Sequence, residues 1–495
     1  MNGIPADTKK KIQGLISDLV PYFRTKRILI GFSLGLLLLL TAVVVAIVPK
    51  KQGDFLSLQQ NIEVIADQRG LNVFIDGTLL EQLDNAAQCQ QFRSAMDGRV
   101  AAFLTENQVL YLVEGQRVKK IADEVQHFEL SATGGGLAYA QTFEDHCFLT
   151  LYNVPKRSSR EITDTLSRMD FSLSPDGSNV AYYELRQDGE VLAVNRKEKR
   201  HTVTAEATDL IGISNDGKQI YAVCSKARDQ SILCSFHFRG KKQELGGISS
   251  ISFKFNSDHR QIMYYSGGKT YISSNGQEGV LVSSYPLYLV TAPNSQSTGD
   301  GNAITYPVHS LFDHVYTCFD GESNSAWVIR KNPDKSIKLV SRVSGCTLDA
   351  SNKYLYYLHD MKQLRYIRLR DGKDAAEHFQ SLADGVEAYA LTSNRKRVYF
   401  TTNGSLCTVN GKSGGNVKVL CEKTDSLTPV LNQGDWVYYL SEGQLYVSKN
   451  GRSGTAVADH IRSVYSSSNS VVYILGEEEL YTSTHKKQPN PVDPS

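Results

Sequence analysis

The sequence predicts an all-β protein: a multi-bladed β-propeller of about eight to ten four-stranded repeats, preceded by one transmembrane helix. Three observations lead there. A Tyr-bearing strand pattern recurs at steps of 35–52 residues from Tyr139 to Tyr473. Long helical periodicity is missing after residue 60, which argues against an α/β enzyme. A single uncharged apolar run, residues 28–48, stands near the N-terminus.

Residues 1–27 carry six cations against Asp7 and Asp18, a net charge of +4, although the whole chain of 495 residues has only +2. Ile12, Leu15, Ile16, Leu19, Val20 and Phe23 fall at helical spacing opposite lysines, so this stub is expected to be amphipathic and cytoplasmic.

The run "ILIGFSLGLLLLLTAVVVAIV", residues 28–48, contains no charge and no proline. As a helix at about 1.5 Å per residue it reaches roughly 30 Å, the thickness of a hydrocarbon core. The cations before it outnumber Lys50 and Lys51 behind it, which places the N-terminus inside and the long C-terminal part outside. A cleaved signal peptide is the rival reading. It calls for an apolar stretch of about 7–15 residues and a small-residue cleavage site, and this run is longer. The expectation is a single-pass cell-membrane protein with an uncleaved signal anchor, a linker at 49–60 and an extracytoplasmic domain at 61–485. A disordered Pro-rich tail is expected at 486–495.

The repeat within 61–485 has a simple grammar. A polar turn is followed by a strand containing Tyr, then a short turn and a second strand. "SPDGSNVAYY" precedes "GEVLAVNRK"; "SNDGKQIYAV" precedes "SILCSFHF"; "NQGDWVYYL" precedes "GQLYVSKNG". Asp and Gly suit the turns, and Val, Ile and Tyr suit a half-buried pleated surface. At "YY" positions successive rings must point to opposite faces of the sheet, because strand side chains alternate. Such a sheet cannot bury both faces alone, so repeats must stack. One large ring is favoured over two smaller ones. A strand from residues 61–83 is expected to complete the last unit, "SVVYILGEEELYTST", and tie the ends together.

"LSPDGSNVAYY" resembles the WD40-like repeat of the TolB-type β-propellers. "DWVYYLSEGQLYVSKNGRSG" is similar to repeats in membrane-anchored bacterial proteins of uncharacterised function. The resemblance covers roughly residues 60–485. It implies a propeller fold and no particular activity. Most copies here lack the full Ser-Pro-Asp-Gly.

All eight cysteines follow the apolar run, and none forms a C-x-x-C pair. Two pairs flank expected hairpin turns and are candidate disulfides: Cys224 with Cys234, and Cys407 with Cys421. Free buried thiols are the alternative. No catalytic, cofactor or metal site emerges. The motifs G-x-S-x-G and H-E-x-x-H are absent, and so is a Gly-rich phosphate loop. Neither a cofactor nor a nucleic-acid partner is expected, since the net charge is small. The polar loop 291–302 is a candidate functional insertion.

The function expected from these features is binding, scaffolding or sensing at the cell envelope, with a protein or cell-wall glycan as partner. The alternative is a glycan-active hydrolase or lyase with its site in the propeller channel.

Overall fold

Side-chain alternation along the central strands explains how the sheets assemble. The computed structural model describes residues 62–491 except 68–69, 76–77, 85, 87, 145, 227–229, 249–252, 292–307, 393, 426–429, 433–435, 460, 467–470, 477–479 and 485–489. The stub 1–27, the apolar run 28–48, the linker 49–60 and the loop 291–302 (apart from Thr291) lie outside the described residues. Among the described residues no helix is long and apolar enough to cross a membrane.

The described chain is nearly all β. It forms eleven antiparallel sheets in chain order, each built from strands consecutive in sequence; ten have four strands and the first has three. The fourth sheet is representative: Leu166–Leu173, Val180–Arg186, Gly189–Arg196 and Lys199–Thr204. First strands of neighbouring sheets lie in contact from the first sheet to the fifth and again from the ninth to the eleventh.

The predicted alternation at "YY" is present. Tyr182 packs with Ala138, Leu149 and Leu151 of the third sheet. Tyr183, one residue on, packs with Ile220, Ala222 and Phe236 of the fifth. Both rings are almost wholly buried. The second to ninth sheets each contribute one face to the core before them and one to the core after them, and burial of a Phe-sized apolar side chain contributes about 1.5–3 kcal/mol.

The polar turns have a second job. In six of them a buried polar side chain accepts a hydrogen bond from the backbone N–H five residues on. Ser131 accepts from Gly136, Ser174 from Asn179 and Ser214 from Gln219, at 2.9, 3.0 and 3.1 Å. Asn256 accepts from Gln261, Asp349 from Tyr354 and Thr392 from Arg397, at 2.9, 2.8 and 3.1 Å. This bond satisfies a donor at the strand's start that burial would otherwise leave unpaired.

The same turns zip one sheet to the next. Met96 N–H donates to the Ala132 carbonyl, Thr133 to Pro175, Asn215 to Asp258 and Ser257 to Val308. Pro175 has no N–H, and there Asp176 N–H donates instead to Asn215 Oδ1, at 2.8 Å. The turns must approach closely: a Cβ on Gly177 (φ +77°) would come within 2.4 Å of the Gly136 nitrogen.

Two expectations are corrected here. Residues 62–83 form their own three-stranded sheet, Ile62–Asp67, Gly70–Ile75 and Thr78–Leu83, and do not pair with the last sheet. That last sheet takes its fourth strand from Asn490–Pro491, inside the segment expected to be a disordered tail; Tyr481 pairs with Pro491 and Thr482 with Asn490. Pairing with a segment six residues on from Thr484 costs little chain entropy, whereas the segment 62–83 already satisfies its own ladder.

Candidate functional site

First strands carry the chemistry that the repeat leaves free. Val125–Leu130, Leu166–Leu173 and Ala207–Ile213 open the third, fourth and fifth sheets. Their starts are spaced evenly by 41 residues, so His127, Arg168 and Asp209 hold equivalent places, as do Glu129 and Asp170. These strands, with the turn bearing His259, enclose a cavity of about 410 Å³.

Arg168 is committed to the protein itself. Its Nε donates to Glu190 Oε1 at 3.1 Å, a second guanidinium nitrogen reaches Glu190 Oε2, and the group lies 3.7 Å over the Tyr183 ring. The remaining polar groups are looser. His127 Nε2 lies 3.7 Å from Glu129 Oε1, and its ring meets Phe171 edge-on at 5.2 Å. Asp170 Oδ2 accepts one bond, from Leu210 N–H at 3.0 Å. Burial raises the Asp170 carboxyl above the usual range; the Leu210 N–H and Arg168 offset this only in part. His259 stacks on Phe255 at 4.4 Å, and its Nδ1 is buried with no hydrogen-bond partner. Burial pushes its imidazole down to about 4, against a backbone hydrogen bond with Ile213.

The cavity therefore presents carboxyl oxygens and an imidazole nitrogen that accept hydrogen bonds, and no lysine or arginine lines it. That arrangement suits an amine, guanidinium or polyhydroxyl group. It holds no assembled nucleophile. Ser257 Oγ does contact His309 Nδ1 at 3.2 Å, but this pair is exposed and no acidic third member pairs with His309 among the described residues. Nor do three or more His, Cys, Asp or Glu side chains gather as a metal site among the described residues.

A second cavity of about 450 Å³ lies between the turns of the fourth to sixth sheets, lined by Asp176, Arg196, Asn215, Asp216 and Arg260 among others. Here the charges are answered internally. Asp216 accepts from Ser214 Oγ at 2.8 Å and Lys218 N–H at 3.0 Å, and Arg260 lies 3.4 Å away. Arg196 Nε donates to the Asp216 carbonyl at 2.7 Å. Burial opposes ionisation of Asp216, yet these donors and the nearby Arg260 and Lys218 outweigh it and hold its carboxyl below the usual range. Asp176 plays the same part in its turn, accepting from Ser174 Oγ at 2.6 Å.

The cysteines named from sequence fall into two situations. All eight are free thiols in the structure. Cys224 and Cys234 share one core, and their thiols hydrogen-bond each other. Cys407 and Cys421 do not come together, which corrects that candidate pair. Cys407 packs toward the eighth sheet with Tyr356 and Leu382. Cys421 packs toward the tenth with Val437 and Tyr439, and its Sγ lies 3.1 Å from Ser441 Oγ. A register shift between Leu406 and Cys407 turns the two thiols to opposite faces.

None of the cavity residues was singled out from sequence. The signal available was the 41-residue spacing of His127, Arg168 and Asp209, which is visible only once first strands rather than Tyr positions serve as the anchor.

No protein-family model and no curated protein sequence matches the chain. Among solved structures it is similar to TolB from Acinetobacter baumannii, at 14% identity over 44% of this chain and 61% of that one, with a TM-score of 0.29. It is also similar to Porphyromonas gingivalis dipeptidyl peptidase 4, at 10% identity over 72% of this chain and 64% of that one, with a TM-score of 0.39. The tricorn protease is a third, at 13% identity over 77% of this chain and 46% of that one, with a TM-score of 0.25. The chain thus spans less than two thirds of the length of each of these proteins.

Proposed function

We propose that this chain is a membrane-anchored, extracytoplasmic β-propeller that binds a protein or cell-wall glycan partner through the mouth of its channel, and so acts as a scaffold or sensor at the cell envelope. The ligand group taken by the channel is cationic or rich in hydroxyls. One observation carries this reading: His127, Glu129, Asp170 and His259 bring hydrogen-bond acceptors to one cavity, while the neighbouring cation, Arg168, is spent on Glu190 and Tyr183. The anchor rests on the apolar run 28–48 and its flanking charges.

The test is crosslinking of the full-length chain in its native membranes, comparing the wild type with a Glu129→Gln/Asp170→Asn variant. The binding reading expects a defined partner set that the variant loses while its folding and membrane level stay the same. An unchanged partner set in the variant would sink it. Protease treatment of intact cells tests the topology, since digestion of the domain from outside is expected.

A second reading has one observation in its favour. Asp170 is an acid whose pKa is raised, beside a His–carboxylate pair, which is a setting for general acid–base work on a glycan. Release of new fragments from purified cell-wall polymer by the wild type, abolished in Asp170→Asn, would favour the hydrolase or lyase.

A further inference from the structure

Cys224 and Cys234 sit on the two central strands of the fifth sheet, Gln219–Lys226 and Gln230–His237. In the register, Cys224 faces Ile232 and Ala222 faces Cys234, so the cysteines are diagonal neighbours on one face. That face packs against Tyr183, Leu192 and Val194 of the fourth sheet. Both side chains are nearly inaccessible, at 3% and 0% exposure. Their thiols are in hydrogen-bond contact. The Lys242 ammonium, 2.8 Å from Glu206, lies within electrostatic reach of both sulfurs. Cys407 and Cys421 are the internal contrast: they also sit on adjacent strands of one sheet, but on opposite faces.

We propose that Cys224 and Cys234 form a reversible dithiol–disulfide site within the fifth sheet, oxidised by a low-molecular-weight disulfide or by the disulfide of an oxidoreductase. Cys224 is the attacking residue, because it lies nearer the hairpin end of its strand than Cys234 and is the less completely buried of the two. The hydrogen bond from Cys234 outweighs burial and lowers the Cys224 thiol's pKa, while that same contact raises that of Cys234.

The Cys224 thiolate attacks one sulfur of the external disulfide, whose S–S bond breaks and releases one thiolate. Cys234 then loses its proton to solvent and attacks Cys224 Sγ in the mixed disulfide. The Sγ–Sγ bond forms and the second external thiolate leaves. The pair is oxidised by two electrons, and the external disulfide is reduced to two thiols. Since both sulfurs are buried, reaction requires local opening of the hairpin, so its rate tracks that opening rather than reagent concentration alone. Once formed, the bond staples the two central strands and withdraws one hydrogen-bonded thiol pair from the core. This site does not depend on the ligand reading of the cavity.

The experiment uses the full-length protein in detergent, reduced and then exposed to oxidised glutathione. Remaining thiols are alkylated after denaturation, and peptides are read by mass spectrometry. The proposal expects a Cys224–Cys234 crosslinked peptide lighter by two hydrogens, two fewer alkylated thiols, reversal by dithiothreitol and a Tm a few degrees higher when oxidised. Cys234→Ala should lose the crosslink, and Cys407→Ser/Cys421→Ser should retain it. Full alkylation of both cysteines in the oxidised wild type would overturn the proposal, as would crosslinking of Cys224 to some other cysteine.

Discussion

The two cavities are made by the same repeat and differ in what they leave unsatisfied. Between the turns, Asp216, Arg196 and Arg260 meet partners from neighbouring repeats while the Asp176 carboxylate is satisfied within its own turn, and the cleft reads as a joint between sheets. In the first-strand cavity, Asp170 and the turn residue His259 keep acceptors that nothing nearby uses. The two aspartates make the contrast sharpest. Asp216 has its carboxyl below the usual range and Asp170 has it above. Ionisation therefore favours the fold at the joint and opposes it at the cavity, which is the pattern expected when a site serves something other than stability.

The joint should break most readily at Gly177. Gly177→Val places a branched side chain at φ +77° against the Gly136 backbone. A loss of about 2–5 kcal/mol is expected from backbone strain plus overpacking, read as a large fall in urea midpoint. Wild-type stability in that variant would remove the close approach of turns as a structural requirement.

Asp216→Ala comes next, since it strips the acceptor from Ser214 and Lys218 and the partner from Arg260. About 1–3 kcal/mol is expected at neutral pH. The sign over pH follows from its lowered pKa: the stabilisation is present above the ordinary value of 3.8 and is lost as pH falls through the lower folded value. Chemical unfolding of wild type and variant should therefore converge in acid, and a gap that persists well below the folded value would count against the carboxylate's role.

His259 sharpens the cavity side. Its imidazole is pushed down to about 4 from 6.5, so the folded protein prefers it neutral. Its contribution is present above pH 6.5, falls away as pH drops toward 4 and then levels off. His259→Gln should flatten the Tm profile over that window, by a few degrees at its acid end. An identical profile in the variant would show that the ring is not held neutral by burial.

Asp170→Asn has the smallest effect on stability and the opposite sign. A raised carboxyl pKa contributes stability below 3.8, which is lost as pH rises through the folded value, so the wild type carries a cost at pH 7 that the amide removes. A gain in stability is expected at pH 7 and should vanish in acid. Calorimetry that finds Asp170→Asn less stable at neutral pH would place Asp170 with Asp216 as a structural carboxylate.

Much of the fold was legible because its signals are local. The alternation of Tyr182 and Tyr183 follows from strand geometry alone, and the polar turns advertise each new sheet. The expected eight to ten repeats nonetheless fall short of the eleven sheets observed, because residues 62–83, read as completing the last unit, form a sheet of their own; the direction in which the Tyr anchors face also drifts. Tyr356 packs toward the following sheet, whereas Tyr182 packs toward the preceding one. The position that does not drift is the buried Ser, Asn, Asp or Thr opening six of the turns, because its hydrogen bond five residues on ties it to the start of the strand.

The cavity was not legible. Nothing in "VQHFEL" or "LSRMDF" alone marks His127 or Asp170 as neighbours. They meet because equivalent first strands from separate repeats are brought side by side. The cysteines divide the same way. By itself the sequence determined the strand grammar, the stacking of sheets and the candidate anchor, all properties of short-range periodicity and hydrophobic length. Tertiary structure decided which thiols share a face, where a register shift separates Cys407 from Cys421, and which carboxyls are left with unused acceptors. Those outcomes depend on side-chain direction and burial across strands distant in the chain, which one-dimensional spacing does not encode.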